Sequence, residues 1–141
     1  MRPAHLQPRL LLLVALGGAA GTALREGLSL AFPAPHGTFP VTVFVINLVG
    51  SFALGLLLER LARRGPDEGG RRTTRLLVGT GVIGGFTTYS ALATSTAQLL
   101  TAAPLVGVAY ALATVVLGFG AALGGVLLAA RVRRGDAGHR S

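Results

Sequence analysis

Four long apolar stretches, separated by short polar connections, dominate the pattern of the chain. They predict membrane spans at about residues 10–31, 40–58, 76–100 and 105–130. Each has roughly the 20 apolar residues that a helix needs to cross a bilayer. The connections are too short to hold a soluble domain, so residues 1–141 are predicted to form one all-α membrane domain of four transmembrane helices.

The third stretch differs from a plain hydrophobic helix. Residues 79–90 hold four glycines, three threonines and a serine in an uncharged segment. Irregular backbone at membrane depth must be buried in protein or line a polar pathway, and we predict that Gly84-Gly85 breaks the third helix near its middle. The alternative is a packing face, because Gly81 and Gly85 form a GxxxG motif that lets two backbones approach closely. The segment alone does not decide between them.

Composition narrows the class of protein. The chain is 51% hydrophobic and 13% charged, whereas soluble domains are about a quarter charged. Its net charge of +8 does not indicate a nucleic-acid partner, because the arginines lie outside the apolar stretches, where membrane lipid is the expected neighbour. The sequence has no cysteine, and its three histidines are scattered over the head, a turn and the tail. We therefore expect no catalytic cluster and no enzyme.

The arginines predict an orientation. Six lie in the loop of residues 59–75, two in the head before residue 10, and four in the polar tail of residues 131–141. Only Arg25 falls on the other side, at the end of a span. Basic residues near span ends favour the cytoplasmic side. We thus predict a multi-pass protein of the cell membrane, inserted one way, with the loop and both termini in the cytoplasm.

The spans carry neutral hydrogen-bond donors rather than charges. A proton-coupled exporter normally needs a carboxylate deep in a span, but Glu26 lies near a span end. Neutral donors suit a small, strongly hydrated anion whose lost water must be replaced, and the positive ring edges of tyrosines can add to them. Four helices are too few to enclose a pathway comfortably, so we infer a dimer. The donors are Asn47, Ser51, Thr87, Thr88, Ser90, Tyr110 and Thr114.

Two polar positions have simpler alternatives. Asn47, taken alone, is equally well explained as an interhelical hydrogen bond, which is commonly worth about 1 kcal/mol. Arg25, at the end of the first span, can extend its guanidinium to the membrane interface instead of facing a partner or a cavity. The residues themselves leave both alternatives open.

Each of the four spans carries a motif of small and polar residues. Residues 17–25 carry GGxxGxxxR, and residues 40–55 carry a proline, an asparagine seven positions later, and then GSFxxG. Residues 81–90 carry GxxGGxTTYS, and residues 110–114 carry YxxxT. Taken in order, the four motifs resemble those of the CrcB/Fluc family of fluoride channels, whose third-span signature is GxxGGxTTFSTF and whose fourth-span motif is YxxxS. The spacing is kept throughout, and the third motif is the most specific.

The resemblance implies an antiparallel dimer with two pores that passively export fluoride from the cytoplasm and so lower its toxicity. It also implies a buried structural Na⁺, held by the backbone carbonyls of Gly84 and Thr87 of each subunit. Asn47 would donate to fluoride, and Arg25 would support the vestibule. The other residues that it places at the pore are Tyr89, Tyr110, Thr114, Thr88 and Ser90.

Three positions depart from the family pattern. The second of two pore phenylalanines falls on Leu92, a pore threonine on Val43, and an acidic residue on Ser95. An antiparallel homodimer needs one sequence to insert both ways, which the arginine bias should prevent. We therefore predict a heterodimer with a homologous subunit of opposite orientation, in which one pore is degraded. A homodimer is the alternative.

Two other classes of protein compete with this interpretation. A small multidrug-type proton-coupled exporter also has four spans and antiparallel dimers, but it would need a deep carboxylate in the first span. A non-conducting membrane scaffold would use the small-residue motifs only for packing. Fluoride efflux from proteoliposomes, with chloride as the control, separates the three.

Overall fold

A computed structural model describes residues 7–137, and the side chains of residues 7–131. The chain is helical almost throughout, and its third span is divided into several pieces. The elements are α1 (Pro8–Ala31), α2 (Val41–Ala62), α3 (Gly69–Thr74), a π-helix (Arg75–Ile83), α4 (Gly84–Phe86), α5 (Tyr89–Ala102) and α6 (Pro104–Ala137).

Four helical stretches in the described residues are long and apolar enough to cross a membrane. Val41–Ala62 and Pro104–Arg131 are more apolar than Pro8–Ala31 and Gly69–Ala102. The two less apolar spans are the ones that carry the glycine-rich and threonine-rich motifs. The prediction of an all-α membrane protein with four transmembrane helices and a divided third one is confirmed.

The helices extend further into the polar segments than the apolar stretches do. Helix α2 continues to Ala62 rather than ending near residue 58, and Glu59 and Arg63 form an ion pair four residues apart on its last turn. Such a pair stabilises the end of a helix. Residues 69–74 of the predicted loop are helical as α3, and the last helix runs to Ala137, beyond the predicted end of the fourth span near residue 130. Charged residues end a membrane span without ending a helix.

Glycines bring the first and third spans into backbone contact. A Cβ atom added at Gly17 would fall on the Leu77 carbonyl oxygen, and one at Gly85 would fall on the Gly18 carbonyl oxygen. Lipid tails supply no hydrophobic drive for helices to associate, so close backbone packing of this kind holds them together. Helices α2 and α6 form the other tightly packed pair, where a Cβ at Gly55 would overlap the Ala122 carbonyl oxygen. Gly81 and Gly85 thus do belong to a packing face.

Candidate ion pathway at the break in the third span

The third span is broken at Thr87 and Thr88, three residues later than predicted. Both residues have extended backbone, with φ/ψ of −77°/154° and −150°/121°. Gly84, by contrast, is helical at −63°/−35°. The prediction that Gly84-Gly85 forms the break was therefore wrong in position. Gly85 packs against the Gly18 backbone of α1, and the threonines tolerate the break because their side chains can replace lost backbone hydrogen bonds.

The two threonine hydroxyls cap the ends that the break creates. Thr87 donates both its N–H and its Oγ1 hydrogen to the Ile83 carbonyl, each at 2.9 Å. Thr88 is the N-cap of α5, and its Oγ1 accepts the Ala91 N–H at 3.1 Å. An N-cap hydroxyl of this kind contributes about 1 kcal/mol to helix stability. Side chains on both sides of the break therefore stabilise its extended backbone.

Asn47 of α2 bridges the break with both ends of its amide. Its Oδ1 accepts the Thr88 N–H at 2.9 Å, and its Nδ2 donates to the Thr88 carbonyl at 3.2 Å. This pairing fixes the positions of Oδ1 and Nδ2 in the Asn47 amide, because the backbone N–H can only donate and the backbone carbonyl can only accept. The interhelical hydrogen bond that was an alternative for Asn47 is present. An Nδ2 group carries two hydrogens, so one hydrogen remains available to another acceptor.

Open to one side of the break is a groove of about 350 Å³ between α2, α5 and α6. It brings together Asn47, Thr88 and Tyr89 with Thr114 on the opposite wall. Leu92, at a position that departs from the family pattern, lies in the same groove beside Tyr89. Asn47, Thr88, Tyr89 and Thr114 therefore share one surface, whereas Arg25, Ser90 and Tyr110 do not line it.

The hydroxyls near the groove differ in how many hydrogens they have left to donate. Thr114 donates its hydroxyl hydrogen to the Tyr110 carbonyl at 2.7 Å, within its own helix. Thr88 and Ser90 share one hydrogen bond of 3.0 Å between their hydroxyls, which uses one of their two hydrogens. Together with the remaining hydrogen of Asn47, the break offers two free donors. Thr114 offers only an acceptor to the groove unless its hydroxyl rotates.

Tyr110 is fully buried behind the groove. Its ring packs edge-to-face on Phe39, with centroids 5.2 Å apart and planes at 90°. Its hydroxyl lies near Ser95 but makes no hydrogen bond within the described residues. Ser95, where the family pattern has an acidic residue, is thus the neighbour of the Tyr110 hydroxyl.

Arg25 is held largely inside the protein. Its side chain is 18% exposed and forms an ion pair of 3.2 Å with Glu26, which is itself 57% exposed. The Nε atom is buried and has no hydrogen-bond partner among the described residues. A guanidinium that simply extended into the interface would be mostly exposed, so the geometry favours a contact within the protein over that alternative.

Two backbone carbonyls at the break lose their usual helical donors. The Thr88 N–H, which would normally bond to the Gly84 carbonyl, donates to Asn47 instead. The Ala91 N–H, which would normally bond to the Thr87 carbonyl, donates to Thr88 Oγ1. Carbonyl oxygens are ligands that suit a hard cation, so this donor set fits Na⁺. Over the described part of the chain, no group of three acidic, histidine or cysteine side chains offers a different metal site.

Two supporting residues were not identified as functional from the sequence. A Cβ at Gly50 would overlap Thr87 Cγ2, so only glycine leaves room for the break beside α2. Thr22 Oγ1 donates to the Gly85 carbonyl at 3.3 Å. Gly50 lies three residues after Asn47 and thus on the same helix face, a spacing that can point to it. Thr22 has no comparable signal, because a threonine in a span is most simply a packing residue.

Comparison with known proteins agrees with the motifs. The family model described as CrcB-like protein, Camphor Resistance (CrcB), matches residues 12–126. The chain belongs to the CrcB family. This confirms the resemblance, and because the family is one of ion channels, the chain is a multi-pass membrane protein and not an enzyme.

Curated relatives cover nearly the whole chain. Fluoride-specific ion channel FluC 2 of Leifsonia xyli is 53% identical over 94% of this chain and 93% of its own length. Fluoride-specific ion channel FluC 1 of Cutibacterium acnes is 46% identical over 88% of this chain and 86% of its own length. Fluoride-specific ion channel FluC of Methanopyrus kandleri is 40% identical over 88% of this chain and 92% of its own length.

Proposed function

We propose that the chain is a subunit of a fluoride-specific ion channel, which lets fluoride leave the cytoplasm passively. The names of its relatives support this function, at up to 53% identity over most of the chain. The structural observation that carries the proposal is the amide bridge from Asn47 to both backbone groups of Thr88. It stabilises extended backbone inside a membrane span and leaves one amide hydrogen for an anion.

Fluoride entering the groove would exchange water for fixed neutral donors. The free hydrogen of Asn47 and the one shared by the Thr88–Ser90 pair are the donors that the break offers. Tyr89 adds the positive edge of its ring, which attracts an anion without a full charge. Neutral donors bind weakly enough for the ion to leave again, as conduction requires. Thr114 lines the opposite wall, Tyr110 lies behind it, and Arg25 supports the adjacent end of α1.

The exposed face of the break is the argument for a second subunit. Tyr89 is 82% exposed, and Gly84 and Ser90 are also exposed in the single chain. Polar backbone at this depth cannot face lipid, so another protein surface must cover it. We propose an antiparallel dimer, in which the same face of each subunit covers the other.

The partner proposed is a homologous chain of opposite orientation. Twelve of the thirteen arginines lie in the head, the loop of residues 59–75 and the tail. Basic residues near span ends favour the cytoplasmic side, so we propose that both termini of this chain are cytoplasmic. Several relatives carry numbers in their names, as FluC 1, FluC 2 and FluC 3. Such numbers are expected where one organism has more than one FluC chain, as a heterodimer requires. Leu92, Val43 and Ser95 would then belong to a pore that conducts poorly or not at all.

A structural Na⁺ fits the carbonyls of Gly84 and Thr87. Each has lost its usual helical donor, and two subunits together would supply four such oxygens. A cation bound at the dimer centre would be coordinated by these carbonyl oxygens in place of their lost hydrogen bonds. Gly84 and Thr87 would hold it, while Asn47 keeps the Thr88 N–H away from the Gly84 carbonyl.

The test of this function is fluoride efflux from liposomes that contain the chain with its partner, measured with and without a proton gradient. Passive conduction predicts the same initial fluoride flux in both conditions. Flux that requires the gradient would favour a proton-coupled exporter instead. Mapping both termini of the chain expressed alone tests the heterodimer, and equal populations in two orientations would contradict it.

A further inference from the structure

Between α2 and the π-helix, positive charge exceeds negative charge. The segment from Glu59 to Arg75 contains six arginines and three acidic residues. It lies where two membrane-crossing helices meet the polar phase, because α2 ends at Ala62 and the third span begins at Gly69. The positions of the individual guanidinium groups therefore decide whether this charge is neutralised within the protein.

Two of the acidic residues are used by specific arginines. Glu59 pairs with Arg63 on the last turn of α2. Asp67 accepts hydrogen bonds from Arg75 through both carboxylate oxygens, at 2.6 and 3.0 Å. Neither pair is available to neutralise the arginines between them.

Four of the six arginines, and the third acidic residue, Glu68, form no ion pair within residues 7–131. Arg60 lies on α2, and the other three arginines lie around the turn. These three are Arg64, Arg71 and Arg72, which we call the arginine cluster. Arg71 folds back over the turn, with its Cζ 3.6 Å from the position that a Cβ of Gly65 would occupy, next to Arg64. Its Nε donates to the Pro66 carbonyl at 2.7 Å, which holds the guanidinium in place and leaves both terminal nitrogens free to donate.

The charge around Asp67 brings Arg71, Arg72 and Arg75 into one region. The hydrogen bond from Arg75 lowers the pKa of Asp67 most, and the nearby charges of Arg75, Arg72 and Arg71 lower it further. One carboxylate thus faces three guanidinium groups, of which it bonds to one. Gly65, at φ 120°, and Gly69, at φ 51°, let the turn adopt the shape that brings them together.

We propose that the arginine cluster binds the phosphate of an anionic membrane lipid such as phosphatidylglycerol. Guanidinium groups match phosphate oxygens with paired hydrogen bonds, and arginine clusters beside a membrane span attract anionic headgroups. The cluster lies between the ends of two membrane-crossing helices, so headgroup phosphates are its expected neighbours. This proposal does not depend on the ion that the protein conducts.

The experiment counts lipids bound to the purified protein by native mass spectrometry, after incubation with an equimolar mixture of phosphatidylglycerol and phosphatidylcholine. Detergent solution removes any effect of membrane orientation. The parent chain should retain mainly phosphatidylglycerol, and an excess of inorganic phosphate should not displace it. The variant Arg64→Gln/Arg71→Gln/Arg72→Gln should lose at least about tenfold in phosphatidylglycerol binding, since each basic residue near such a headgroup contributes about 1 kcal/mol.

A matched control removes the same charge elsewhere. Arg131→Gln/Arg133→Gln/Arg134→Gln should keep most of the phosphatidylglycerol binding. Equal losses in the two triple variants, or no preference of the parent for phosphatidylglycerol, would overturn the proposal. If the first triple variant does not purify, Arg71→Lys decides, because it keeps the charge but loses the guanidinium fork held by Pro66. Unchanged binding in Arg71→Lys would then contradict the proposed site.

Discussion

Replacing Asn47 by leucine should open the break in the third span. The change keeps the branched shape of the side chain but removes both partners of Thr88. An N–H and a C=O left unpaired cost about 1–3 kcal/mol each, although measured interhelical bonds in membranes are often weaker, near 0.6 kcal/mol. We expect local opening to become easier by about 2–4 kcal/mol, a range that allows for partial repair by water or neighbouring groups.

Hydrogen exchange at the Thr88 amide measures this effect directly. An increase in opening of 2 kcal/mol corresponds to about 30-fold faster exchange. Ser51→Ala is the matched control, since Ser51 lies one turn after Asn47 in the same groove. Among the described residues, the Thr88 N–H and carbonyl bond to Asn47 and not to Ser51, so the rate should stay within about twofold of the parent. Unchanged exchange at Thr88 in Asn47→Leu would refute the claim that this amide holds the break.

Three further predictions follow from the same contacts. Gly17→Ala should destabilise the protein by about 1–3 kcal/mol, because its Cβ would overlap the Leu77 carbonyl oxygen. Gly18→Ala should be neutral or slightly stabilising, because a Cβ at Gly18 has open space around it. Thermal unfolding of the two variants measures the difference, and equal midpoints would contradict it. Thr114→Val should leave fluoride flux within about twofold, because the hydroxyl hydrogen is already used within α6; a large loss of flux would show that the hydroxyl rotates into the groove. The bond from Arg75 lowers the pKa of Asp67 below 3.8, so the stability from this pair is present above that value and is lost only as pH falls through the lower folded pKa. The rate of trypsin cleavage at Arg75, divided by the rate in the Asp67→Asn variant, should therefore be constant between about pH 5 and pH 8. A change of this ratio within that range would contradict the pairing.

Hydropathy predicts the number and order of the spans, because a bilayer requires long uninterrupted helices. It does not predict where those helices end in water. Glu59 and Arg63 continue α2 as an ion pair, although both are charged and lie beyond the apolar stretch. The ends of the spans and the ends of the helices are therefore different quantities, and only the first can be read from apolar residues.

The position of the break shows the limit of residue propensities. Glycine has a weak helix propensity, yet Gly84 and Gly85 stay helical, and α1 packs against the backbone at Gly85. The break occurs at Thr87 and Thr88, where Asn47 and two hydroxyls supply replacement hydrogen bonds. Those partners come from another helix, so no local pattern in the third span could have located the break.

Hydrogen bonds within the protein explain why some polar residues predicted as donors have no hydrogen left to donate to an anion. Asn47, Thr88 and Thr114 all line the groove. Thr114, however, has spent its hydrogen on its own helix, while the Thr88–Ser90 pair keeps one. Residue type shows which groups can donate, and only the structure shows which hydrogens are still free.

The central claim is that this broken span forms a path for fluoride and excludes larger anions. The most direct test is the efflux of fluoride and of chloride from liposomes that contain the chain together with a homologous subunit. We predict rapid fluoride efflux and chloride efflux no faster than from liposomes without protein. Equal efflux of the two ions, or fluoride efflux that matches protein-free liposomes, would contradict the account.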